Sequence, residues 1–570
     1  MLSYKLIKNS AGKVQYIETA LTHSELLNAP KLNKGTAFTK TERATFGLIG
    51  KLPAHVETLD EQVARAYSQY KEQKTNIDKN VYLNGLHDRN ETLFYKLVGE
   101  HINEMLPIIY TPTIGDAVEK FSLELRRARG LFIDYNDQDR IAEILDNRLN
   151  PEVDIILVTD GEGVLGIGDQ GIGGMDIAIG KLMVYILCGG IRPLRTLPIF
   201  LDVGTNSEKL LNDPLYVGWR HKRISGKDYD QFIDKFVTAV QQKLPDAFLH
   251  WEDFGRENAR KNLSRYCEKM ATFNDDMQGT GATALACILA GIKATDTTFT
   301  DHRVAVLGAG TAGVGIADQI YAAMVQAGMS PTEARQRFWL VDRAGLLTSD
   351  MKALESFQKP YARAAEEVQQ WQRENADHIS LYDVVKNAKP TIIIGTSTVH
   401  GAFNEKIIKE MSSYTERPLV FPLSNPTSKS EAVPADVIKW SQGKALLATG
   451  SPFDAVEFQK KKIVIAQANN AYVFPGVGLG VIAAKATRVT DAMLRAAADA
   501  LSDCAPAMHD KFAPLLPDLS GVQAVSKKIA LAVAEKAREE GFAGVENDLD
   551  LQQRIDEIFW EPQYYSYKKI

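Results

Sequence analysis

The chain has 570 residues, 45% of them hydrophobic, 24% charged and 8% aromatic, and its 66 Lys+Arg against 72 Asp+Glu give a formal net charge of −6. This is ordinary globular composition, which excludes a disordered, collagenous or coiled-coil chain and a small module that needs disulfide or metal staples. The slight acidity, without a long single-sign run, argues against a nucleic-acid binder working through a basic face, and at about 150 residues per domain the length suggests three or four domains.

The N-terminus, MLSYKLIKNSAGKVQYIE, has no apolar core of a secretory signal, which points to a cytoplasmic protein. Residues 1 to about 130 read as mostly helical, as in LDEQVARAYSQYKEQK, with PIIYTPTIG (107–115) as an extended, proline-bounded interruption. From about 150 the texture turns α/β. VDIILVTD (153–160) and TLPIFLDVGT (196–205) read as buried strands, with a helix from Asp176 to Cys188 between them. The most apolar stretch, Ile177 to Ile191, contains Lys181 and is shorter than a bilayer span, so no membrane association is expected. From 302 the alternation is regular. RVAVLG, RFWLVD, TIIIGTS, PLVFPLSN and ALLATG are strand-like and are separated by helical runs, the pattern of a parallel sheet with crossover helices. After about 485 the chain is helical again, and the aromatic tail FWEPQYYSYKKI is expected to dock onto the body or onto a neighbouring subunit. None of the four cysteines forms a CxxC pair; Cys188 and Cys287 lie in apolar helical contexts and read as buried core thiols.

The pattern GxGxxG recurs in the chain, and two of its occurrences are weighed by their context. Gly308, Gly310 and Gly313 follow the strand RVAVL and open a helix, the context in which glycines let a pyrophosphate approach a helix N-terminus. The next strand, RFWLVD, ends in Asp342, 29 residues after Gly313, where a carboxylate can accept from an adenosine ribose and favour NAD; Arg343 beside it is the residue that could meet a 2′-phosphate. Gly166, Gly168 and Gly171 follow a run that reads as a hairpin, have no helix immediately behind them, and read as turns. A looser glycine run lies at Gly476–Gly480.

Two acid pairs, Glu252-Asp253 in LHWEDFG and Asp275-Asp276 in TFNDDMQGT, stand 22 residues apart in apolar frames. Solvated loops account for such pairs singly; partly buried together, they repel one another unless a cation or proton intervenes, and carboxylate oxygens suit Mg²⁺ or Mn²⁺. Lys181 in MDIAIGKLMVYILCGGI either snorkels to the surface or is held at a pocket, and Tyr110 in PIIYTPT is either core or functional.

The ordered set YTPTIG, GIGDQGIGGMDIAIGKL, HWEDFG, FNDDMQGT, GAGTAG, FPLSNPT and QANNAYVFPG resembles the malic enzymes of the large NAD-linked type, from LNKGTAF (32–38) to the C-terminal helices. The resemblance implies an α/β fold with a Rossmann-type NAD-binding domain, a second α/β domain, a helical N-terminal region and a C-terminal tail. In this numbering the parts are 1–128, 129–275 with 469–536, 276–468 and 537–570. It further implies Glu252, Asp253 and Asp276 as ligands of Mg²⁺ or Mn²⁺, Lys181 as general base with Asp275 beside it, and Tyr110 as the acid. Asn425 and Asn470 would contact substrate, Asn425 also the nicotinamide side, and Gly308, Gly310, Gly313 and Asp342 the NAD. The implied reaction is oxidative decarboxylation of (S)-malate to pyruvate and CO₂ by a homodimer or homotetramer.

One departure stands out. Many malic enzymes carry an arginine after the glutamate of DGE that contacts the substrate carboxylate; here TDGEGVLGIGD has Gly163. That Glu-Gly pair, HWEDFGREN and IGTSTVHGAF are similar to the malolactic enzymes, whereas YTPTIG, RRARG (126–130) and ATGSPF (448–453) are more like the malic enzymes. The alternatives are therefore malolactic conversion with retained NAD, and a non-catalytic NAD-sensing protein, which the presence of Tyr110, Lys181, Glu252, Asp253, Asp275 and Asp276 disfavours.

Overall fold

The computed structural model describes residues 4–9, 12–125, 127–375 and 378–570. The first three residues of the N-terminal stretch and Arg126, which begins the RRARG run, lie outside the described residues. The chain divides into two compact units: Met1–Phe273 with Gly478–Val489 and Ala537–Ile570, and Asn274–Val477 with Thr490–Lys536.

The first unit is built on a five-stranded sheet of β1 (Leu131–Asp134), β2 (Ile155–Thr159), β3 (Thr196–Asp202), β4 (Phe248–Trp251) and β5 (Thr272–Asn274), in the order β1-β3-β2-β4-β5. β2 pairs in parallel with both β3 and β4. Every residue of β2 is buried, which is why IILVT reads as a continuous apolar run: a central parallel strand is covered on both faces. Among the helices that precede the sheet are α1 (Ile102–Ile109) and α2 (Thr113–Glu119), and α3 (Gly174–Gly189) follows β2.

PIIYTPTIG is therefore mostly helical rather than extended. Pro107 rides inside the last turn of α1, and Pro112 sits at the N-cap of α2, a place where its missing N–H costs nothing. Only the junction at Tyr110 is extended, with φ −135° and ψ −155°.

α3 is apolar all round, with 14 residues buried. The run Gly171–Gly189 is long and apolar enough to cross a membrane by composition, against the shorter span read from the sequence, yet 89% of it is buried inside the first unit, as a core helix would be. Gly180 allows α1 to approach: a Cβ there would lie 3.1 Å from the Ile109 carbonyl oxygen. Cys188 and, in the second unit, Cys287 are buried thiols.

The aromatic tail docks onto this same unit. Ser566–Lys569 adds a parallel strand to Val14–Thr19. The Tyr564 hydroxyl accepts from Asn90 at 2.6 Å and donates to Gln62 at 2.7 Å, and the Lys34 ammonium sits 3.9 Å from the Tyr567 ring centroid.

The second unit carries a seven-stranded sheet. In chain order it comprises β6 (Val304–Leu307), β7 (Phe338–Asp342), β8 (Gly345–Leu346), β9 (Ile392–Gly395), β10 (Leu419–Pro422), β11 (Leu446–Thr449) and β12 (Ala466–Gln467), arranged β8-β7-β6-β9-β10-β11-β12. All neighbours are parallel except the short β7–β8 hairpin. Strand order reverses between β6 and β9, the switch point where doubly wound sheets open a crevice for ligands. This unit also contains the helices α4 (Thr280–Ala294) and α5 (Thr311–Gln326).

His87, in the helix Asn76–Arg89, is buried between Phe94 and Tyr95, with ring centroids 4.5 and 5.2 Å away. Arg129 donates to its Nδ1, so Nδ1 is the acceptor and Nε2 carries the proton of a neutral ring. Burial, and next the Arg129 charge, push its pKa down to about 4. Unfolded, the same histidine takes a proton near pH 6.5, so folding stability is full above that pH and falls as pH drops towards 4. His87→Gln does not titrate. Its stability deficit relative to wild type, from chemical denaturation, should shrink by roughly 2 kcal/mol between pH 7 and pH 5; a deficit that stays constant over this range contradicts the assignment.

Candidate active site

β2 and β4 run side by side, with Val158 opposite Trp251, so the segments that leave their carboxyl ends emerge together. Glu252 and Asp253 follow β4 and are 1% and 3% exposed. Glu252 stays tied to the sheet through its N–H, which donates to the Val158 carbonyl at 3.0 Å.

Lys181 does not snorkel. Its residue is 2% exposed, and its Nζ donates to Glu252 Oε1 at 2.6 Å. The other carboxylate oxygen, Oε2, lies 2.8 Å from His250 Nε2, and His250 Nδ1 lies 2.7 Å from the Tyr185 hydroxyl. A carboxylate only accepts, so Nε2 bears the proton and the Tyr185 hydroxyl donates to Nδ1. The Lys181 ammonium is 5.3 Å from the ring centroid of Tyr110, itself 4% exposed. Lys181, Tyr110, Glu252 and Asp253 thus share one buried cluster in the first unit. His250 and Tyr185 also belong to it, and the sequence reading did not include them. A signal for His250 exists: it stands two residues before Glu252 at the end of a strand, where alternate residues share a face.

Asp253 takes the left-handed φ of +54°, which costs a non-glycine residue on the order of 1–2 kcal/mol. The loop after β2 holds it there: Gly163 N–H donates to the Asp253 carbonyl at 2.9 Å, and Leu165 N–H to Asp253 Oδ1 at 3.3 Å. Position 163 has no room for a side chain, because a Cβ would sit 2.7 Å from the Phe254 carbonyl oxygen. The Glu-Gly pair is therefore part of the packing of this loop on the Asp253–Phe254 backbone.

Gly166–Gly171 forms turns, and here the sequence reading needs one correction: a helix does follow, with Gly171–Gly173 leading directly into α3. Its first N–H groups are already occupied. Gly171 donates to Asp169 Oδ1 at 2.9 Å, Ile172 to the Tyr216 hydroxyl at 3.0 Å and Gly173 to the Gln170 carbonyl at 3.1 Å. A helix start whose donors are taken does not cradle a phosphate.

In the second unit, Asp275 is 1% exposed. Asn470 Nδ2 donates to Asp275 Oδ2 at 2.8 Å and to Thr280 Oγ1 at 3.1 Å, so Asp275, Asn470 and the start of α4 form one set. Asp276 lies in the turn before α4. Asn425 stands apart from that set, accepting from the Ser451 hydroxyl at 2.5 Å.

The glycine loop sits at the switch point of the sheet. Gly308 has φ +98°, and Thr396, just past β9, donates to its carbonyl at 2.8 Å. A Cβ on Gly313 would lie 2.0 Å from the Gly308 carbonyl oxygen, so only glycine lets α5 start this close to the loop. Asp342 ends β7, its Oδ1 accepting from Arg343 N–H at 2.9 Å. Gln358, absent from the sequence reading, donates to the Ala309 carbonyl at 2.8 Å and reaches Asp342 Oδ2 at 3.5 Å. It comes from a connection with no periodic pattern. Glu431 was likewise missed: fully buried, it accepts from Ser397 N–H at 2.7 Å and from the Ser424 hydroxyl at 2.6 Å, tying together the turns after β9 and β10.

Two family descriptions match the chain, "Malic enzyme, N-terminal domain" over residues 87–267 and "Malic enzyme, NAD binding domain" over 277–538. An "NAD-dependent malic enzyme" of Sodalis glossinidius (strain morsitans) is 52% identical over 544 residues, covering 95% of this chain and 96% of that protein. "NAD-dependent malic enzyme 3" of Bacillus subtilis (strain 168) is 51% identical over 558 residues, covering 97% and 98%. Among solved structures, the malic enzyme of Entamoeba histolytica aligns with a TM-score of 0.55 at 22% identity, covering 90% of this chain and 89% of that one. That of Pyrococcus horikoshii gives 0.52 at 22%, covering 80% and 88%. At that identity the structures speak for the fold, but the full-length relatives carry more: this chain belongs to the malic enzyme family.

Proposed function

We propose that the chain oxidises (S)-malate with NAD⁺ and releases pyruvate, CO₂ and NADH. The observation that carries this reading is the buried Lys181–Glu252 pair, with Asp253 beside it and the Tyr110 ring against the ammonium. The relatives' shared description as NAD-dependent malic enzymes supports the cofactor and the substrate.

In this reading Lys181 is the neutral amine when substrate is bound, and its Nζ takes the proton of the C2 hydroxyl as hydride passes from C2 to the nicotinamide. After the C4 carboxylate departs as CO₂, the Tyr110 hydroxyl delivers a proton to C3. The two transfers balance: the proton that Lys181 takes from the hydroxyl replaces, on Tyr110, the one that Tyr110 gives to C3. Gly308, Gly310, Gly313 and Asp342 take the dinucleotide, with Asn425 towards its nicotinamide and Asn470 towards the substrate. As the family resemblance implies, Glu252, Asp253 and Asp276 would hold a Mg²⁺ or Mn²⁺ ion. The donor set fits such an ion, being carboxylate oxygens alone, two of them on adjacent buried residues. When bound, the ion supplies Lewis acidity at the C2 oxygen. Asp275, tied to Asn470, assists Lys181. The resemblance also supports assembly as a dimer or tetramer.

With malate, NAD⁺ and Mn²⁺, NADH should rise in step with pyruvate; lactate formed without net NADH overturns this reading in favour of malolactic conversion. Lys181→Ala and Tyr110→Phe should each lower kcat by about 10²-fold or more while NADH binding, followed by its fluorescence, is retained. Wild-type rates in both would refute their roles. Gly313→Ala, whose Cβ the Gly308 carbonyl excludes, should weaken NADH binding by roughly tenfold or more; unchanged affinity would move the dinucleotide site elsewhere.

A further inference from the structure

Arg223 is an arginine in a polar stretch, RHKRIS, yet its side chain is only 4% exposed. It reaches back to the segment Asp160–Asp169 that leaves β2. Its Nε and Nη2 donate to Asp169 Oδ2 and Oδ1, each at 2.8 Å, in a bidentate fork. Nη2 also donates to the Asp160 carbonyl at 2.8 Å, and Nη1 lies 3.7 Å from Asp160 Oδ1. One guanidinium therefore clasps the beginning and the end of this segment.

Both anchor points are fastened from other sides too. Asp160 is fully buried, and Tyr229 donates to its Oδ2 at 2.8 Å. Asp169 accepts from Asn206 N–H at 2.6 Å and from Gly171 N–H at 2.9 Å. The ends are drawn together by Gln170 N–H, which donates to the Gly161 carbonyl at 2.9 Å. The middle of the segment supplies the two amides, of Gly163 and Leu165, that meet Asp253. Asp253 has no helix or strand to hold its left-handed backbone, so this loop is its template.

We propose that Arg223 is a positioning residue for the divalent cation: by clasping Asp160 and Asp169 it holds the Gly163 and Leu165 amides in place, and these set the Asp253 carboxylate. The inference rests on the reading of Glu252 and Asp253 as metal ligands. Groups that orient ligands without touching the metal commonly shift affinity by about 10–100-fold.

The test is Mn²⁺ binding to the metal-stripped full chain, followed by the electron paramagnetic resonance signal of free Mn²⁺. Arg223→Met should raise the Mn²⁺ Kd by about tenfold or more and leave the NADH affinity unchanged. Asp169→Asn, which spares the Asp160 contact, should raise it less. In an Asp253→Asn background, adding Arg223→Met should cost no further Mn²⁺ affinity, an epistasis that a merely structural role would not produce. Wild-type Mn²⁺ affinity in Arg223→Met, or an additive loss in the double variant, overturns the role of Arg223. Should Arg223→Met fail to fold, Asp169→Asn with unchanged Mn²⁺ affinity overturns it instead. A wild-type chain that binds no Mn²⁺ overturns the metal reading, and the role of Arg223 falls with it.

Discussion

An ammonium and a carboxylate 2.6 Å apart, with both side chains 2% exposed, are expensive to remove from water, and their attraction only partly offsets that cost. The Lys181–Glu252 pair is therefore the constraint around which the first unit is arranged. It demands a helix apolar enough to hold a lysine away from solvent, and α3 is apolar all round. It demands that the second carboxylate oxygen be bonded as well, and the relay from Glu252 through His250 to Tyr185 bonds it. It also demands a rigid floor, which the fully buried strand β2 and its parallel neighbour β4 provide. Such a pair is weak evidence for stability but strong evidence for a place where charge is managed.

The second unit solves a different problem with different means. Here the chain must bring backbone close to a ligand rather than keep a charge dry. Glycines at 308 and 313, a threonine that ties the loop to the turn after β9, and the reversal of strand order all serve close approach. Glu431 and Gln358 do for this loop what His250 and Tyr185 do for Glu252: they immobilise neighbouring groups by satisfying their hydrogen bonds.

Much of this was legible in the sequence because it rests on local pattern. The run 153–160 contains β2, and the helix read from Asp176 to Cys188 is α3 with two residues more at its start and one at its end. The acids in apolar frames at 252, 253 and 275 are indeed buried. What local pattern could not decide was the fate of Lys181. A helix apolar on every side offers no face by which to choose between surface and pocket, and the deciding partner lies 71 residues away. PIIYTPTIG misled for the opposite reason: prolines, which usually interrupt helices, here occupy the end of one and the start of the next. Arg223 had no signal at all, since it sits among polar residues and is buried only by reaching back to Asp160 and Asp169.

The docked tail has a consequence for how the chain comes into being. The strand Ser566–Lys569 completes a sheet begun at Tyr4–Lys8 and Val14–Thr19, whereas every residue of the second unit lies before Ala537. During synthesis from the N-terminus, the second unit has all its parts while the first still waits for its last strand. The part that leaves the ribosome first is thus finished last, and until then it presents unpaired strand edges and an open aromatic seat to whatever surrounds it.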